Sequence, residues 1–404
     1  MSEIKDIRTK YGVPKAIHTI IDGKDIEVKK IIEVRNGKSV VVWLIGSQTD
    51  MWQYVVTVSA GQEIRISVAT DGLNDTFDWG DGATSIGYVN YHTYPKAGTY
   101  TITFSDTKKQ NTYYAGHISP SETVIAVVQP SYSTKCYYSN IPNLKEITFV
   151  KPIRFKLVDM GYCDSLETFE IPVGVEAIEY LQYMTNLKTV KLPETLTTIN
   201  DYAFQCDAKL TEIRLPDSLT TLGTDAFREC SNLENLVIGK GLTEISQYCF
   251  RDCNLKNIHI PHNIIDINKG AFFQNSNIAT IEIEEGCKNI YKWAFQCSYN
   301  DRYKPTIAYL AIPDSVQTIY DYAFANINSI KKVKIGTGIK YIGGSAFGNC
   351  NLSEMIINGY PEHITERSIG YIDGEKIAEL TIYGKSGSLT ETYATKNGFA
   401  FVEI

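Results

Sequence analysis

From Leu144 onward the apolar positions fall into one template, Leu-x-x-Ile-x-Leu-Pro, that returns eleven times. Its opening residues are Leu144, Leu166, Leu187, Leu210, Leu233, Leu255, Ile278, Ile307, Ile330, Leu352 and Ile377, giving steps of 22, 21, 23, 23, 22, 23, 29, 23, 22 and 25 residues. A fixed period in this range signals a solenoid, in which each unit is too short to bury a core alone and must stack on its neighbours. Within the template the first, fourth and sixth residues are apolar, while the third and fifth are mostly polar. That is the period-two alternation of a half-buried strand. Leu210, Ile213 and Leu215 therefore point inward, and Glu212 and Arg214 face out. Each strand is followed by a second apolar pair and an Ala-Phe-like doublet, as in Leu219, Leu222, Ala226 and Phe227, then Leu242, Ile245, Cys249 and Phe250. These predict an opposite wall. On it Phe204, Phe227, Phe250, Phe272, Phe295, Phe324 and Phe347 stack as an aromatic spine, each buried ring contributing about 2 to 3 kcal/mol.

The pattern ahead of the repeat is different. Ile20-Ile21-Asp22-Gly23-Lys24-Asp25-Ile26-Glu27-Val28 is echoed fourteen residues later by Val34-Arg35-Asn36-Gly37-Lys38-Ser39-Val40-Val41-Val42. Apolar alternation around a Gly-Lys turn predicts two small hairpins within residues 1–45. Such units are marginal alone, so they are expected to dock on a partner chain or a larger assembly. Residues 46–110 alternate in short strands, such as Glu63-Ile64-Arg65-Ile66-Ser67-Val68 and Thr99-Tyr100-Thr101-Ile102-Thr103-Phe104, which predict a small β-sandwich. Residues 111–143 are irregular and tyrosine-rich, with one candidate strand from Val124 to Val128, and are expected to cap the solenoid as a partial first unit. The repeats themselves occupy 144–383, and 384–404 form a second cap. There Ser388-Leu389-Thr390-Glu391 is a capping box, Asn397-Gly398 stops the helix, and Phe399 to Ile404 supply a last strand. The expected fold is mainly β: a leucine-rich repeat solenoid of about eleven units preceded by a small β-sandwich and N-terminal β-hairpins.

Three resemblances attach to these motifs. The template with its Ala-Phe doublets, and with Pro193, Pro216, Pro261 and Pro313 ending strands, resembles the BspA-like leucine-rich repeats of bacterial surface proteins. This covers about two-thirds of the chain and implies non-enzymatic adhesion or recognition. Phe77-Asp78-Trp79-Gly80-Asp81-Gly82, followed by His92-Thr93-Tyr94 and Gly98-Thr99-Tyr100-Thr101, resembles the PKD family of immunoglobulin-like sandwiches. The Gly-Lys hairpins, with Val28-Lys29-Lys30-Ile31-Ile32 and Val41-Val42-Trp43, resemble repeats that open phage and prophage tail proteins.

Composition narrows the chemistry. The hydrophobic share is 43%, the charged share 21% and the net charge -7, with no basic block, which gives no footprint for nucleic acid. No apolar run reaches membrane-span length, and Met1 to Lys10 is too polar for a signal-peptide core. The nine cysteines are an odd number. Cys206, Cys230, Cys253, Cys297 and Cys350 each follow a spine Phe by two or three residues, so they read as a ladder of packed thiols rather than disulfides or metal ligands. Neighbouring rungs still lie within disulfide reach, so spacing alone leaves oxidation open. Zinc on Cys253, His259 and His262 fails because the cysteine faces inward and His259 outward. Asp78 and Asp81 fall short of the six to eight oxygens calcium takes. No zinc-protease, nucleophile-elbow or phosphate-loop motif is present, so no catalytic residues and no cofactor are expected.

Function is therefore sought on surfaces. The outward pairs on the template strands are mixed in sign and suit either a distributed binding face or a solvated one. The 29-residue step inserts Ser298 to Pro305, where Tyr299, Arg302 and Tyr303 are residue types enriched at binding hot spots. The same insertion also reads as a tolerated surface loop. With Tyr309 and His259 on the adjoining strands, these residues form the expected partner-binding set, for a protein or a cell-surface glycan. The setting implied is a phage or prophage tail contacting a host surface, with a bacterial adhesin or a purely structural virion spacer as alternatives.

Overall fold

The computed structural model describes strands at 17–21, 24–30 and 44–45, and then residues 52–67, 76–87, 89–104, 117–119, 124–129, 136–149, 156–275, 277–298 and 305–404. The repeat folds as a right-angled stack of rungs with three walls. The first wall is built of eleven template strands, from Glu146–Phe149 to Thr381–Gly384, paired in parallel where they touch. The second is built of shorter parallel strands, from Cys136–Ser139 to His363–Ile364. The third is the tight turn that carries the Ala-Phe doublets. It has its own ladder: the Phe204 N–H donates to the Ala226 carbonyl at 2.7 Å, Phe227 to Cys249 at 2.8 Å, and Phe272 to Ala294 at 2.7 Å. Every rung thus satisfies its buried backbone on its neighbour.

The spine is formed as the spacing predicts. Phe204, Phe227, Phe250, Phe272, Phe295, Phe324 and Phe347 are all buried, and successive ring centroids lie 4.7, 5.3, 5.6, 5.1, 5.1 and 5.4 Å apart. Interplanar angles of 4 to 10° show that the rings repeat the rung geometry almost unchanged. The residue preceding each Phe is Ala or Cys because it lies in the wall's backbone ladder with no exposed surface. The turn is tight enough to force residues on both sides of the Phe into the left-handed region, among them Tyr202, Tyr248, Trp293 and Tyr322 two residues before it and Glu229, Asp252 and Asn349 two after.

The last repeat departs from its expected opening at Ile377. Met355 pairs with Ile382, and Leu380, not the half-buried Ile377, is the buried residue that leads into the strand. A short hairpin, Tyr371–Ile372 with Glu375–Lys376, takes up the additional residues. Beyond it the helix Leu389–Asn397 is capped as the sequence requires: the Ser388 side chain accepts from the Glu391 N–H, and Gly398 adopts φ 68°. Ala400–Glu403 then pairs with Thr381–Gly384 and closes the edge.

The region ahead of the repeat forms two sheets. One joins His117–Ser119, Glu63–Ser67 and Val89–Thr93; the other contains Val124–Gln129, Trp52–Val58, Gly98–Phe104, Thr76–Asp78 and Thr84–Ile86. Tyr54, Ile64, Ile66, Phe77, Trp79, Tyr94, Ile102 and Phe104 fill the space between them. The Trp79 turn needs its glycines: Gly80 has φ 78°, and a Cβ there would lie 2.6 Å from the Thr101 carbonyl oxygen. Asp78 accepts from the Gly80 N–H at 2.9 Å, and Asp81 accepts from Ala83 N–H and contacts His92 Nε2 at 2.7 Å, so both carboxylates serve the turn.

The expected boundary at 110 shifts. His117–Ser119 and Val124–Gln129 belong to the sandwich, the latter running antiparallel to Trp52–Val58 and at the same time parallel to Glu146–Phe149, the first template strand. One sheet therefore passes from sandwich to solenoid, because an open solenoid end needs a strand to satisfy its backbone. Of the expected N-terminal hairpins, Ile17–Ile21 pairs antiparallel with Lys24–Lys30; the turns at Asp22-Gly23 and Asn36-Gly37 lie outside the described residues.

Candidate binding face

The template strands place one residue in two toward solvent, and the rung pitch sets those residues in columns. Columns of side chains one rung apart pair when their signs alternate: Lys188 with Glu167 at 2.9 Å, Lys256 with Glu234 at 2.7 Å and Lys332 with Glu354 at 2.6 Å. These pairs are well exposed and contribute little stability. Their effect is to neutralise most of the face, so the charges left over carry the information.

Arg214 is one of them: among the described residues it has no carboxylate partner. It borders a groove of about 470 Å³ floored by Val190, Leu192 and Ile213 and rimmed by Lys191, Arg214 and Val237 together with two carboxylates, Glu194 and Glu212. The template strands beside it pair two by two, as they do at other rungs. Thr168–Glu170 pairs with Thr189–Lys191 and Glu212–Arg214 with Asn235–Val237, but the two pairs are not joined as one sheet. Val237 occupies an outward position and is 48% exposed, an apolar residue where neighbouring rungs carry charge. An apolar floor, an exposed valine and an uncompensated guanidinium on a rigid scaffold are the elements of a recognition site.

A second feature lies farther along. His259 Nδ1 is 3.1 Å from Glu282 and its Nε2 is 3.2 Å from Glu284, while Glu284 also accepts from the His262 backbone N–H at 2.8 Å. Both ring nitrogens donate only when the imidazole carries two protons. The His262 amide holds the Glu284 carboxyl below its ordinary range, helped by the two rings. Among the described residues no group of three or more His, Cys, Asp and Glu side chains is arranged to hold a metal ion. Cys253, which the sequence sets near these histidines, points inward and donates to the Phe227 carbonyl at 3.1 Å.

The BspA-type leucine-rich repeat model matches residues 133–234, 159–274, 226–304 and 302–385, well over half of the chain. The chain belongs to the BspA-type leucine-rich repeat family. No curated protein sequence matches it. Among solved structures, it is similar to a leucine-rich repeat protein from Bacteroides ovatus at 17% identity, covering 83% of this chain and 99% of that one, with a TM-score of 0.47. It is also similar to the pneumococcal vaccine antigen PcpA at 17% identity, covering 69% and 79% of the two chains with a TM-score of 0.42. A leucine-rich cell surface protein from Faecalibacterium prausnitzii shares 21% identity over 62% of this chain and 79% of its own, with a TM-score of 0.32.

In this BspA-type solenoid His259 and Tyr309 both sit on the outward face of the first wall, two rungs apart, with Tyr309 49% exposed and paired in register with Lys332. Tyr299, Arg302 and Tyr303 lie outside the described residues. The groove at Arg214 was not anticipated. Its one legible signal is Val237, an apolar residue at a template position that is polar in most rungs, Ala311 and Ile356 being the other exceptions.

The interior offers no reactive group. Eight cysteines are described and all are free, seven of them buried. Burial pushes the thiols of Cys163 and Cys206 up to about 11 and those of Cys287 and Cys297 up to about 12, so none is a nucleophile at neutral pH. Cys230, Cys253 and Cys350 each donate to the carbonyl of the spine Phe one rung earlier, at 3.1, 3.1 and 3.2 Å. Asn275 fills the same position and makes the same contact to Phe250 at 2.6 Å. The cysteines are therefore rung connectors.

Proposed function

We propose that this chain is a non-enzymatic recognition protein of a bacterial cell surface that binds a protein partner along the outward face of its first wall, centred on the groove at Arg214 and Val237. The observation that carries this reading is the coincidence of the groove, the exposed Val237 and Arg214, a guanidinium that stands in no ion pair among the described residues. The BspA-type family and the surface description of the Faecalibacterium protein agree with it. No helix among the described residues is long and apolar enough to cross a membrane, so attachment would be by other means. The test is a solid-phase screen of the purified chain against immobilised extracellular-matrix and serum proteins, followed by Arg214→Glu and Val237→Asp. At least a tenfold loss in both variants, with unchanged thermal stability, is the expected result. Binding unaltered by either change refutes the assignment of the face.

A second reading rests on the hairpin Ile17–Ile21 with Lys24–Lys30, whose sequence resembles phage and prophage tail proteins. In that setting the hairpins dock on a virion and the solenoid meets the host, or serves only as a spacer. Fractionation of purified particles decides between them: absence of the chain from virions removes the tail setting.

A further inference from the structure

The third wall carries a surface that the sheet face does not explain. Over four successive rungs it presents one aromatic ring each: Tyr248, Phe273, Trp293 and Tyr322, beside the spine residues Phe250, Phe272, Phe295 and Phe324. Cations are set between these rings. Arg251 lies 5.6 Å from the centroids of both Tyr248 and Phe273. Lys269 lies 5.5 Å from Tyr248 and 5.0 Å from Trp293, and Lys292 lies 4.7 Å from Trp293 and 5.7 Å from Tyr322. Arg251 is offset by Asp252 at 2.9 Å. Lys269 and Lys292 have no carboxylate within ion-pair distance among the described residues, so two positive charges stand free on a chain of net charge -7.

Three of the rings stand on left-handed backbone. Tyr248, Trp293 and Tyr322 have φ of 53, 63 and 58°, a region bulky residues rarely occupy and where Gly or Asn would be at ease. The same position in the intervening rung is Gly270, φ +60°, and a Cβ there would stand 2.2 Å from the Tyr248 ring. Glycine at that rung leaves room for the tyrosine to lean toward Lys269. The same left-handed position carries Tyr202, Asp225 and Ser345 in other rungs, so the turn sets the backbone, and what marks this stretch is the run of large aromatics with cations between them.

We infer that this wall binds an acidic polysaccharide, a polymer of carboxylated or sulfated sugars lying along the solenoid axis. The surface rings stand 6.5 Å apart from Tyr248 to Phe273 and 6.3 Å from Phe273 to Trp293. A pyranose in an extended chain advances by a similar step, so successive sugars meet successive rings and cations of the row. The ammonium groups, held in place by the rings, keep their N–H donors free for carboxylate or sulfate. A small anion would use one cation; a polymer uses the row. An acidic peptide would use the charges and leave the rings idle, and single-stranded nucleic acid, which would stack its bases on the rings, is the comparison that separates base stacking from sugar contact.

The site is distinct from the sheet face, so each is tested separately. Binding of the full chain to polygalacturonate and to heparin is measured by calorimetry at low and physiological salt, with neutral galactan, poly-glutamate and single-stranded DNA as comparisons. Wild type is expected to bind at least one acidic polysaccharide and not galactan. Trp293→Ala is expected to lower the affinity at least tenfold with the salt dependence kept, and Lys269→Ala with Lys292→Ala to lower it and flatten the salt dependence. Lys396→Ala, on the C-terminal helix and outside both surfaces, is expected to change neither. Protection of the Phe295 amide against exchange verifies that the variants keep the rung. Failure of both acidic polymers to bind, or an unchanged Trp293→Ala, overturns the inference. Equal binding of poly-glutamate overturns it in favour of charge alone, and equal binding of single-stranded DNA in favour of base stacking.

Discussion

Replacing Phe272 with leucine isolates what the spine adds beyond burial. Phe272 has no exposed surface, and its ring stacks on Phe250 at 5.6 Å and on Phe295 at 5.1 Å, nearly parallel to both. Leucine keeps most of the apolar volume and removes both ring contacts. At about 0.5 to 1.5 kcal/mol per aromatic pair, the loss is about 1 to 3 kcal/mol before any cavity is counted. Truncation to alanine adds the cavity and reaches about 3 to 5 kcal/mol. Phe347 is the control. It stacks on Phe324 at 5.4 Å, and the corresponding residue of the next rung is the buried Ile369, so Phe347→Leu loses one ring contact. In a solenoid each rung reports its own stability, so native-state hydrogen exchange suits the question better than one melting temperature. The amides to follow are those of Phe250 and Phe272, bonded to Ala271 and Ala294 at 2.8 and 2.7 Å. Phe272→Leu should lower their protection by about tenfold or more, since about 1.4 kcal/mol is a factor of ten, and Phe347→Leu should lower its own rung's protection by the square root of that factor. Equal losses at the two sites, or none at Phe272, would refute stacking as a contributor and leave burial alone.

Two further outcomes follow from buried groups. Asp207 is fully buried, accepts from the Met184 N–H at 2.8 Å through one oxygen and has no partner for the other; burial drives its pKa well above 3.8. A folded-state acid pKa raised above the unfolded one means the native state holds the proton longer, so stability falls as pH rises from the ordinary carboxylate range toward the folded value. Asp207→Asn removes that slope and is expected to stabilise the chain by about 1 to 3 kcal/mol at pH 8 and by nothing at pH 3; parallel stability curves for the two proteins would contradict this. The raised thiol pKa values predict that an aromatic disulfide reagent at pH 8 labels the native protein slowly and all nine cysteines in denaturant; fewer than nine would show that some are oxidised.

The sequence was sufficient for the solenoid because its determinants are local and repeated. A buried template residue such as Ile213, an outward one such as Glu212 and a spine residue such as Phe227 each recur at one period, so eleven copies of a weak signal reinforce one reading. The C-terminal cap was legible for a similar reason: Ser388, Glu391 and Gly398 act within a few residues of one another. The last repeat reads as opening at Ile377 because Leu380 and Ile382 fill the fourth and sixth template positions counted from it, and only the pairing of Met355 with Ile382 shows that the register has shifted. The role of Val124–Gln129 was hidden because its partners, Trp52–Val58 and Glu146–Phe149, lie far away on either side and pairing is a property of the assembled sheets.

The surfaces depend on what stacking brings together. Nothing in the spacing of Thr189–Lys191, Glu212–Arg214 and Asn235–Val237 says which of their side chains border one groove, yet residues of these three rungs line the one beside Arg214. Tyr248, Lys269 and Trp293 come from three different rungs, separated along the chain by about a period each, and they become a row of rings and charges only when the rungs stack on one wall. Periodic burial is written residue by residue, so composition and spacing determine the scaffold. A binding surface is written across rungs, in the columns that exist only after the chain has wound, and the tertiary structure alone decides which side chains share one.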